Sequence, residues 1–128
     1  MRIMANRNSG GSTGADGTSD TLTMDDATHL LSSYRRRFVI DVLTENASIT
    51  RSKLSDEVAA LENNISVSEV TGKQRKRTHT SNRQTHLEKL EDAGILNVGD
   101  REPIERGPTF DNAVEILQTL RDLCEDTK

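Results

Sequence analysis

Residues Lys73–Leu90 read KQRKRTHTSNRQTHLEKL, and the run continues through EDAGIL to Leu96. The first half is crowded with cations. The second half has the Leu87/Leu90 spacing of an amphipathic helix and ends in Ala93–Gly94, a helix stop, before a short apolar stretch. From Lys73 to Lys89 there are six Lys and Arg against Glu88, a net of +5, although the 128-residue chain carries -4. The remainder is therefore at about -9. One concentrated cationic element on an acidic chain suits a surface that faces a polyanion. The bland alternative is a solvated helix face paired with Glu88, Glu91 and Asp92.

Outward from that stretch, the pattern predicts a sequence of short elements. Residues 1–22 are mostly Gly, Ser, Thr, Asn and Asp and are expected to form a disordered tail. Thr23 and Asp26 have capping-box spacing. Ala27, Leu30, Leu31, Tyr34, Phe38, Val42 and Leu43 then recur at helical spacing, predicting one helix from about 25 to 45. Ile49 suits a short strand. Thr50 can cap a second helix with Leu54, Val58 and Leu61 inward. Ser66 and Glu69 repeat the capping-box spacing, and Gly72 opens the basic helix, expected to run to about Ala93. ILNV (95–98) reads as a strand, and GDREPIERGP (99–108) as the tip and return of a hairpin. A last helix closes the chain over 111–128, with Asp111 as its N-cap.

Helix, strand, helix, helix, strand, turn, strand, helix is the order of a winged helix-turn-helix domain, here 23–110. The expected fold class is mostly α with a small β-hairpin wing. NNISVSEVTG leaves about eight residues between the second and third helices, more than the tight form of the motif allows. Winding at 100° per residue from Leu87 places Thr80, Arg83 and Lys76 inward. The same count places Gln74, Arg75, Thr78, Ser81, Asn82 and Thr85 outward, with Arg77 on their flank. These are side chains that pair with base edges, so they and Lys73 are the expected DNA contacts.

Arg35, Arg36 and Arg37 on the first helix, and Arg101 and Arg106 at the hairpin, are further candidates for phosphate contact. The alternative for the triplet is pairing with acids inside the chain. Ala113, Leu117, Leu120 and Cys124 form a stripe on the last helix, widened by Val114, Ile116 and Leu123. It suits either a homodimer interface or packing on the first helix.

LLSSYRRRFVIDVLTE (30–45), LSDEVAALEN (54–63) and RKRTHTSNRQTHLEKLEDAGIL (75–96) resemble a haloarchaeal group of small winged-helix proteins usually taken for transcriptional regulators. The similarity covers about 28–106. It implies a winged helix and DNA binding, and no target sequence or ligand. The chain departs from the group at Thr78, His79, Thr80, Asn82 and Arg83, where apolar or aromatic residues are usual.

The other classes of function find little support. Cys124 is the single cysteine, which precludes an intrachain disulfide and fits a reducing, cytoplasmic setting. His29, His79, His86 and Cys124 show no metal-ligand spacing, and no phosphate loop or catalytic constellation is visible. No apolar run approaches the roughly 20 residues that span a membrane. The expectation is a non-enzymatic, dimeric regulator binding double-stranded DNA, with no cofactor and no evident small-molecule effector. The rival is a winged-helix module that binds proteins and never engages DNA.

Overall fold

A computed structural model describes residues 20–81, 86–99 and 103–125. It is mostly helical, with one three-stranded antiparallel sheet. The expected tail lies outside these residues up to position 19. Leu22 does not belong to a loose tail: it is half-buried against the core, and its N–H donates to Asn112 Oδ1 at 2.8 Å.

The single first helix is two helices, α1 (Met24–Leu30) and α2 (Tyr34–Glu45). The apolar periodicity runs through the break, but Ser32 and Ser33 do not. Ser32 Oγ turns back to His29 O at 2.6 Å, and Ser33 caps α2 by accepting from Arg36 N. Serine competes for backbone groups in this way, which is why it favours helix ends. Thr23 caps α1, as its spacing predicts.

Strand β1 (Ser48–Ile49) follows α2, then helix α3 (Arg51–Asn63), with Thr50 Oγ1 accepting from Lys53 N. Leu54 and Val58 are buried on α3. Leu61, expected inward, is 42% exposed. A 3-10 turn at Val67–Glu69 occupies the long connection. There Ser66 N–H donates to Glu69 Oε1, the pairing its spacing suggests. Helices α4 (Gly72–Ser81) and α5 (Leu87–Asp92) come next.

Strands β2 (Leu96–Asn97) and β3 (Ile104–Arg106) pair antiparallel, Leu96 opposite Arg106 and Asn97 opposite Glu105. β1 adds on the far side of β3, Ile49 opposite Ile104, so the strand order is β1-β3-β2. Helix α6 (Phe110–Leu123) ends the fold. Its N-cap is Thr109, not Asp111, which lies in the first turn. Thr109 Oγ1 is engaged elsewhere, donating to Ala93 O.

The core is one aliphatic cluster. Val39, Ile40 and Leu43 of α2 meet Leu30 and Leu31, Leu54 and Val58, Leu87 and Leu90, Ile95, Leu96 and Ile104, and Phe110, Ala113 and Leu117 of α6. The last helix is thus part of the domain: Ala113 and Leu117, expected at a dimer interface, are 0% and 3% exposed inside the chain. Arg121 clamps Asp41 of α2 through two bonds of 2.8 and 3.0 Å.

The turn out of α5 is closed by two backbone bonds, Gly94 N to Glu91 O and Ile95 N to Leu90 O, both 2.9 Å. This Schellman closure needs a left-handed residue, and Gly94 has φ +81°. Gly107, at the end of β3, lies directly against it: a Cβ there would stand 2.3 Å from Gly94 O. The contact is backbone on backbone, so no rotamer can relieve it. Gly107→Ala is expected to lower stability by about 1–3 kcal/mol, the usual cost of overpacking, as read by urea denaturation; an unchanged midpoint would show that β3 can back away freely.

Candidate nucleic-acid interface

Helix α4 begins with a reciprocal cap. Thr71 Oγ1 accepts from Gln74 N at 3.1 Å, and Gln74 Oε1 accepts from Thr71 N at 2.9 Å. The T-x-x-Q spacing of Thr71 and Gln74 was the sequence signal for this. Gln74, expected to face DNA, therefore has its amide oxygen engaged at the helix start.

The remaining residues divide into two faces. Toward α3, Thr78 is 1% exposed and its hydroxyl donates to Glu62 Oε1. His79 Nδ1 lies 3.2 Å from Ser55 Oγ, and Arg75 pairs with Asp56. Away from α3, Lys73, Lys76, Arg77 and Thr80 are all exposed. At 100° per residue these four fall within about 100° of arc centred opposite Thr78.

This corrects the expected phase. Thr78 was placed outward and is buried; Lys76 and Thr80 were placed inward and are exposed. Counting back from Leu87 assumed one unbroken helix. Thr78 and Leu87 lie nine residues apart, half a turn out of phase by that count, yet both are buried. The windings of α4 and α5 are therefore not one progression. His86, immediately before α5, has π-helical winding, which shifts phase. Of the eight expected DNA contacts, Lys73 and Arg77 stand on the exposed face. Arg75 is exposed but tied to Asp56, and Gln74 and Thr78 serve the fold. Asn82 and Thr85 lie outside the described residues, as does the side chain of Ser81.

The expected phosphate contacts also have structural duties. Arg36 is buried; its Nε donates to Leu30 O at 2.8 Å and a terminal nitrogen to His29 O at 2.9 Å. Arg37 donates to Leu31 O at 2.7 Å. Together they satisfy the carbonyls that α1 leaves unpaired at its C-terminus, where positive charge is favoured. Arg35 pairs with Glu62 of α3. Arg106 serves α2 likewise, donating to Leu43 O and Thr44 O, with its guanidinium 5.2 Å from the Phe110 ring centre. Arg101 lies outside the described residues. The hairpin root is held from two sides: Glu91 Oε2 accepts from Val98 N and Gly99 N, and Arg51 donates to Gly99 O.

At the start of α5, Arg36 donates to Nδ1 of half-buried His86 at 3.4 Å. Burial pushes the His86 pKa down from 6.5 to about 4, and the charges of Arg36, Arg35 and Lys89 add to the effect. A histidine held neutral in the folded state disfavours folding only where the unfolded chain takes up the proton. Its contribution is nil above pH 6.5 and grows as pH falls toward 4. His86→Gln, which cannot titrate, should flatten the decline in melting temperature between pH 6.5 and 4. An equally steep decline in the variant would assign it to carboxylates alone.

No helix among the described residues is long and apolar enough to cross a membrane. Neither the curated proteins nor the solved structures contain a significant match to the chain. A family model matches residues 28–104, from α1 to the first residue of β3, more than half of the chain. That span takes in α4 whole and stops short of α6, and it places the chain in the DUF7344 family, a domain of unknown function.

Proposed function

We propose that the protein is a DNA-binding transcriptional regulator that acts as a homodimer and presents α4 to the major groove. The observation that carries this reading is the row Lys73, Lys76, Arg77 and Thr80. Three cations and a hydroxyl share one exposed face, opposite the face seated on α3. The surroundings suit a winged helix: α2, β1, α3, α4 with α5, then β2 and β3 follow in its order, and the β1-β3-β2 sheet puts the hairpin beside the helical layer. A cationic helix face standing clear of a compact support is what entry into a major groove requires. The net charge of -4 repels DNA at long range, so binding relies on this local row and weakens steeply with salt.

A second copy of the domain would double the contact, since one short helix specifies a short site. With Ala113 and Leu117 inside the core, the outward part of the α6 stripe is Leu120, 41% exposed, Leu123, 79% exposed, and Cys124. Leu120 borders a groove of about 310 Å³ between α6 and the α1–α2 junction, lined also by Leu31, Leu117 and Cys124.

Two experiments test the reading. Replacing Lys73, Lys76 and Arg77 together by Ala should leave the circular dichroism spectrum intact, because none supports the core. In a fluorescence-anisotropy titration against genomic fragments bound by the wild type, the slope of log K against log salt should fall by about three, roughly one per lost phosphate contact. Unchanged binding with an unchanged slope would sink the assignment of α4 and favour a module that binds proteins. For the dimer, Leu120→Asp with Leu123→Asp should give a folded monomer by light scattering. A folded dimer would move the interface away from α6.

A further inference from the structure

On the basis of the DNA-binding reading, we propose that α4 reads a guanine-centred site and that Arg77 is the residue that selects the base. The argument is one of elimination along the described part of the helix. In the major groove, amides pair with adenine, carboxylates with cytosine, and Arg or Lys with guanine, while Ser and Thr serve either. Helix α4 has no carboxylate, and its one amide side chain among the described residues, Gln74, is half-buried and closes the N-terminal cap. Arg75 has the right chemistry but pairs with Asp56 on the inner side. The exposed row then offers two ammonium groups, one hydroxyl and one guanidinium.

Only the guanidinium is a rigid fork. Its two parallel N–H groups match the O6 and N7 acceptors of a single guanine, whereas an ammonium acts as a point charge and suits phosphate as well as base. Arg77 is exposed, and no described residue binds it. Its position also fits: from Lys73 to Thr80 the row is about 10 Å long, or about three base steps, with Arg77 inside it. Lys73 lies one turn before Arg77 and Thr80 nearly one turn after, so the lysines can hold backbone on either side of the base that Arg77 meets.

The test is selection of binding sites from a random double-stranded library by the full chain, followed by competition titrations with the enriched site. At one base pair the wild type should prefer G·C over A·T by about 5- to 150-fold. Arg77→Ala should abolish that preference. Arg77→Lys keeps the charge, and should reduce the preference while leaving the salt slope unchanged, which isolates the fork from the charge. Lys73→Ala should weaken all sequences alike. An enriched site whose central preference is for A·T, or a G·C preference that both Arg77 variants retain, overturns the proposal and leaves DNA binding standing. A wild-type chain that enriches no sequence and shows no salt-dependent binding overturns both readings.

Discussion

Val39, Ile40 and Leu43 on α2 are fully buried, and every other helix and strand except α4 sends at least one side chain into the cluster they form. With two Phe, one Tyr and no Trp in the chain, that cluster has to be built from aliphatic groups, and it is small. A small core leaves little surplus to offset unsatisfied polar groups. The ends of the helices around α2 are accordingly well closed. Arginines close α1 and α2, and left-handed turns at Asn64 and Gly94 close α3 and α5. The Arg35–Arg37 triplet is thus part of the support of α2 rather than a free basic patch.

Helix α4 stands apart from this arrangement. It buries Thr78 but no apolar side chain, and its seat on α3 consists of polar pairs: Asp56 with Arg75, Ser55 with His79, Glu62 with Thr78. Ala59, Ala60 and Val70 form a separate small apolar cluster beside it, with Ile65 packed against them. Short residues on α3 permit close approach, and the hydrogen bonds then fix rotation about the helix axis. Directional bonds define which residues face out, a task that a smooth aliphatic contact performs less well. The clean separation of Lys73, Lys76, Arg77 and Thr80 from the inner face follows from that geometry.

Much of the frame was legible in the sequence because its signals are local. Thr50, Ser66 with Glu69 and Gly94 mark helix ends by chemistry that needs no tertiary context, and ILNV with the turn-rich run after it gives the hairpin. Two features were not legible from periodicity. Leu30, Leu31, Tyr34 and Phe38 keep helical spacing across a break that only Ser32 and Ser33 announce. The orientation of α4 was misread because it has no apolar residue to set its phase, and the phase of Leu87 does not carry back to it. The structural work of Arg36 and Arg106 depends on carbonyls from six to 63 residues away, which no local pattern reveals. The triplet could be paired inside the chain on charge grounds. That its partners would be mostly carbonyls, with Glu62 the carboxylate, could not be read in advance.

The polar seat has an evolutionary consequence. Lys73, Lys76, Arg77 and Thr80 meet no packing constraint, while the residues that hold α4 in place lie on its other side and are different ones. A duplicated gene could therefore alter what α4 binds one residue at a time, without passing through unfolded intermediates. Selection on binding and selection on folding act on separate positions of the same ten-residue helix.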